Sequence, residues 1–137
     1  MMPGTIEQAA VFPMPDLPPC AIAGAGPLVG RMTGLPASVR SALVNAVGHP
    51  IAEAGGRFNP SDVMRADMPG VRFLRAYRVR DLWLVWIEQG GIGHSFRVLG
   101  FRDAPHGGSV AMSFPHVPGQ SLCAASRAMA VKMRGLR

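Results

Sequence analysis

Val71–Phe101, VRFLRAYRVRDLWLVWIEQGGIGHSFRVLGF, decides the fold. Gly90-Gly91 separates two runs rich in Trp, Val, Ile and Phe, and a Gly-Gly pair supplies the positive φ angles of a two-residue hairpin turn. That spacing predicts antiparallel strands over residues 82–89 and 92–101, with Ile87 facing His94, Val85 facing Phe96 and Trp83 facing Val98. The preceding run, Val71 to Arg80, folds back through the polar pair Arg80-Asp81 and makes the sheet a meander. Tyr77 is then opposite Leu84 and Arg75 opposite Trp86, while Arg97 is diagonal to Trp86. One face carries Phe73, Tyr77, Val79, Leu82, Leu84, Trp86 and Leu99, with Arg75 and Arg97 beside the indole.

A sheet with one wet face alternates apolar and polar residues, but the central run LWLVWI does not alternate. Both faces therefore need cover. Helices elsewhere in the chain suffice for one, and the N-terminal segment, a second subunit or a ligand must close the other.

Outward from the sheet, Pro36 to Val47 reads as a helix, with Pro36 in its first turn, Val39, Leu43, Ala46 and Val47 at helical spacing, and Gly48 as its stop. A short helix is expected at Ile51 to Ala54, and another from the cap-like Asn59-Pro60-Ser61-Asp62 to Ala66. Val110, Met112 and Phe114 alternate as a fourth strand would. Pro118 to Arg134 reads as a terminal helix with Leu122, Ala125, Met129 and Met133 on one face. The class is α+β: a meander of about four strands over residues 71–114, packed with helices at 36–47 and 118–134.

Residues 1–19 contain Pro3, Pro13, Pro15, Pro18 and Pro19, which remove amide donors and disfavour helix at each preceding residue. They form an extended arm whose Val11, Phe12, Met14 and Leu17 lie along a surface, leaving 20–137 as a single domain. Gly24, Gly26 and Gly30 do not make a dinucleotide loop, because Pro27 and the break at Gly34-Leu35-Pro36 interrupt the strand–loop–helix unit such a loop needs.

The chain has 137 residues, 48% of them hydrophobic and only 16% charged, and its mean hydropathy is +0.20. A core is affordable at this length, and so apolar a surface favours an oligomer or a bound partner. The net charge of +6 is carried by arginine, since Lys132 is the only lysine. Arginine suits phosphate, carboxylate and aromatic partners, although the charge also fits a genomic composition bias that would explain the Ala, Gly and Pro content. Cys20 and Cys123 form no metal or redox motif; two buried free thiols are the expectation and one disulfide the alternative. With neither a signal sequence nor a membrane-spanning run, the expected compartment is the cytoplasm.

The candidate binding layer is Arg75, Tyr77, Trp86 and Arg97, where guanidinium groups flank an indole and could grip a ring, an anion or a tertiary neighbour. Arg72, Arg78 and Arg80 would form a basic ridge, either a phosphate-contacting surface or a charge-protected edge strand. Asp103, His106 and His116 are the candidates for catalysis, in spacings that fit no common triad or zinc pattern, and His94 reads as a structural histidine. No cofactor or metal is implied. The expected function is a non-catalytic binding or assembly module, a homo-oligomer contacting partners through an apolar sheet face and the arm. A nucleic-acid-binding protein is the alternative, and a small enzyme using Asp103, His106 and His116 the third.

Overall fold

The computed structural model describes residues 13–61, 68–91, 94–102, 111–114 and 122–134, with backbone alone for 111–114 and 133–134. The sheet has five strands in sequential order: β1 (Ile51–Ala52), β2 (Val71–Val79), β3 (Leu82–Gln89), β4 (Ser95–Arg102) and β5 (Ala111–Phe114). β2 to β5 form the antiparallel meander, and helices α1 (Ala37–Val47) and α2 (Leu122–Arg134) complete the α+β fold. The stretch expected to be helical at Ile51 is instead β1, pairing parallel with Val71 and Arg72. Four residues between Pro50 and Gly55 cannot repay helix nucleation, whereas pairing with a preformed edge can satisfy their backbone. The helix expected to open at Asn59-Pro60-Ser61-Asp62 is not helical as far as Ser61, whose N–H donates to Asn59 Oδ1 at 3.1 Å, and its remainder to Ala66 lies outside the described residues, as does the start of the helix expected from Pro118.

Between β2 and β3 the register is the expected one over most of its length, with Arg75 opposite Trp86, Tyr77 opposite Leu84 and Val79 opposite Leu82. Arg80 takes φ 59° to close that turn. An irregularity between Phe73 and Arg75 inserts Leu74 as a bulge, which moves Phe73 to the other face from Tyr77. The β3–β4 connection departs further. β3 ends at Gln89 opposite Ser95, the first residue of β4, so Trp86 faces Val98, Val85 faces Leu99 and Ile87 faces Arg97. The shift from the expected register is odd, and an odd shift exchanges the faces of β4. Leu99 and Arg97 therefore lie on the face away from Trp86.

The two glycines serve a different purpose from a tight turn. Gly90 N–H donates to Gly70 O at 2.9 Å and Gly91 N–H to Pro60 O at 3.0 Å, tying the loop to neighbouring chain segments. A Cβ on Gly90 would press on the Asn59 carbonyl oxygen and lie 2.7 Å from Pro60 Cα.

Both faces are covered from within the chain. On one, Leu74, Tyr77, Leu82, Leu84, Trp86 and Val98 pack under Cys123, Met129 and Ala130 of α2 and under Leu17, Cys20 and Ile22 of the N-terminal segment. On the other, Phe73, Trp83, Val85, Ile87, Leu99 and Phe101 pack under Val39 and Leu43 of α1 and under Leu35. Of the three covers expected for the second face, the N-terminal segment is the one in place, together with α2. Cys20 and Cys123, expected as free thiols, form a disulfide across 103 residues that joins the N-terminal segment to α2.

Candidate binding site on the sheet

Prolines dictate how the segment from Pro13 to Cys20 meets the sheet. Pro13, Pro15, Pro18 and Pro19 have no N–H to donate, so this stretch cannot extend a strand ladder and its carbonyls need side-chain donors. Arginines of β2 supply them. Arg72 Nη2 donates to Pro13 O at 3.0 Å and Arg75 Nη1 to Pro18 O at 3.2 Å, while Leu17 packs against the cluster containing Tyr77 and Trp86. The segment runs in the direction of β2, and beyond it the chain turns at Gly24, φ 81°, and comes back along the β2 edge through bridges from Ala25 to Val79 and from Val29 to Ala76.

Beneath the segment, three of the expected binding residues come together. The Arg75 guanidinium lies 5.2 Å from the Trp86 ring centroid, and its Nη1 also donates to Tyr77 Oη at 3.1 Å. Tyr77 and Trp86 rings are 5.5 Å apart and tilted. Trp86 is fully buried, and its indole N–H donates to Ser126 Oγ of α2 at 2.7 Å, which in turn donates to Leu122 O at 2.8 Å. Arg97 does not join the layer, since its register partner is Ile87 on the opposite face.

The expected basic ridge is broken by the Leu74 bulge. Arg72 is fully buried on the segment-covered face, its Nε 3.1 Å from Glu88 Oε1 and its Nη2 paired with the same oxygen. Glu88 Oε2 meets His94 Nε2 at 2.6 Å, so both carboxylate oxygens are occupied. The Phe58 ring lies 4.6 Å beneath the Arg72 guanidinium, and the His94 ring is edge-on to it at 6.4 Å. His94 is therefore a loop residue bound to Glu88 and not a strand residue beside Ile87. Arg78 and Arg80 stay exposed at the β2–β3 turn, where Arg78 Nε donates to Arg80 O at 2.7 Å and its guanidinium lies 5.9 Å from the Trp83 ring.

No family model, curated protein or solved structure matches the chain.

Asp103, His106 and His116 lie outside the described residues, and among the described residues no group of three or more His, Cys, Asp or Glu side chains could hold a metal ion. No described helix is long and apolar enough to cross a membrane. Glu88 is the residue that pattern reading missed, although a signal existed. It is the single acid in the apolar run LWLVWIEQ, and a carboxylate carried into a covered strand requires a cationic partner. Ser126 gave no comparable signal, because a serine on a helix can face either way.

Proposed function

We propose that the protein is a non-catalytic binding or assembly module whose working surface is the β2–β3 face together with the proline-rich arm. One observation carries this: an extended, donor-poor segment lies across a layer of Arg75, Tyr77 and Trp86 and is held by guanidinium groups at two of its carbonyls. A surface that grips backbone carbonyls and an apolar side chain is built for extended chain. The charged groups at the adjacent end, Arg72, Glu88 and His94, support the same function because they are engaged with one another as a brace beneath Pro13. In a homo-oligomer the arm of a second copy would replace the chain's own arm on this surface, since both faces are otherwise covered from within. The Cys20–Cys123 disulfide favours an oxidising compartment over the expected cytoplasm, where thiols are kept reduced.

A nucleic-acid ligand is the second reading, favoured by the exposed Arg78 and Arg80 at the β2–β3 turn. It rests on fewer arginines than the strand pattern suggested, since Arg72 is buried.

Light scattering coupled to size exclusion, run at low and high salt with the 260/280 nm absorbance ratio followed across the peak, separates these. A salt-insensitive dimer or larger species free of nucleic acid is the expected result. A monomer at both salts would remove the homo-oligomer. Material absorbing at 260 nm at low salt and shed at high salt would promote the arginine turn to a phosphate-contacting site.

A further inference from the structure

The geometry points to a groove for proline-rich peptides on the β2–β3 face, filled in this chain by its own residues 13–18 and latched by the Cys20–Cys123 disulfide. The inference rests on the reading of that face as a binding surface and specifies its ligand. The segment Pro13-Met14-Pro15-Asp16-Leu17-Pro18 is the ligand seen in place. Its prolines remove N–H donors and leave carbonyls to be satisfied, with Pro13 and Pro18 exposed, Pro15 half-buried and Leu17 packed inward.

Each part of the groove answers a property of such a peptide. A proline-rich peptide offers carbonyls and few N–H groups, and the groove offers donors: Arg72 to Pro13 O and Arg75 to Pro18 O. The segment also offers an apolar side chain, Leu17, which packs against the cluster where Tyr77 and Trp86 lie 5.5 Å apart. Arg75 is fixed over Trp86 and braced on Tyr77 Oη, and Arg72 is fixed by Glu88, so both donors are positioned before any ligand arrives. Preorganised donors and a ligand already close to its bound shape cut the entropy lost on association.

The disulfide decides whether the groove is open to other chains. It lies two residues past Pro18, so while it is intact the arm re-occupies the groove intramolecularly and at high effective concentration. A dithiol reductant converts the bond to the Cys20 and Cys123 thiols and is itself oxidised to a disulfide. The arm then loses its covalent anchor, and a proline-rich segment from another protein competes on equal terms.

The test uses the full-length chain and a fluorescently labelled peptide, PMPDLPP, copied from residues 13–19. Anisotropy titrations compare the oxidised chain, the chain held in dithiothreitol, and an oxidised Leu17→Asp variant, which loosens the arm while keeping the disulfide. Binding at least tenfold tighter to the reduced chain and to Leu17→Asp than to the oxidised chain is expected, with an added Arg75→Ala change returning the affinity towards that of the oxidised chain. The Leu17→Asp variant carries the test if circular dichroism shows that reduction unfolds the chain. A second peptide, AMADLAA, separates the two levels of inference. If it binds as well as PMPDLPP, proline selectivity is overturned and a general binding face stands. If neither peptide binds the reduced chain or the variant while both remain folded, the groove and the binding face fall together.

Discussion

Trp83 and Trp86 differ by a single hydrogen bond, and that difference is measurable. Both are buried on β3, on opposite faces, but Trp86 donates to Ser126 whereas Trp83 Nε1 is buried with no partner among the described residues. Phenylalanine at position 83 removes an unsatisfied donor, while at position 86 it removes a made bond. Trp86→Phe is therefore expected to cost about 1–2 kcal/mol more than Trp83→Phe in urea unfolding, beyond the volume lost in both. Equal losses would place the partner of Trp83 elsewhere. Glu88 is the more exacting residue. Glu88→Gln leaves the Arg72 guanidinium buried without a counter-charge, and a destabilisation of about 3–5 kcal/mol is expected. A change under about 1 kcal/mol in chemical denaturation would mean that Arg72 finds another route to compensation.

At the scale of elements, the hairpin between β3 and β4 shows what pattern can and cannot settle. Strand existence was legible because β-branched and aromatic runs bounded by glycine have few other folded solutions. The pairing of β2 with β3 was legible too, because a two-residue turn at Arg80-Asp81 leaves little freedom. The β3–β4 register was not, because Gly90 and Gly91 are committed to Gly70 and Pro60, whose proximity no local pattern encodes. The Leu74 bulge is equally silent in sequence, yet it buries Arg72 and dissolves the basic ridge. Of the candidate site, Arg75, Tyr77 and Trp86 could be placed together from the pairing alone, whereas Arg97 was lost with the register. Gly90→Ala tests the tertiary role of that loop. Because the added methyl meets backbone and not a flexible side chain, a loss of about 1–3 kcal/mol is expected in thermal or urea melts. A neutral outcome would show that the segment carrying Asn59 and Pro60 can withdraw freely.

For the whole molecule the decisive link is covalent. The Cys20–Cys123 bond closes a loop spanning 103 positions, and joining residues so distant restricts the unfolded chain strongly. Replacing both cysteines by serine is expected to cost about 2–4 kcal/mol, with the folded state's circular dichroism retained. An unchanged unfolding midpoint would show that packing of Leu17 and Ile22 under α2 already holds the segment. The same bond sets how the protein would respond to mechanical load. Tension applied at Cys20 and Cys123 passes through the sulfur bridge and bypasses every strand of the sheet. With the bridge intact the meander between these two positions stays unloaded, and it releases chain, at up to about 3.3–3.6 Å per residue, only once a thiol cuts the bond.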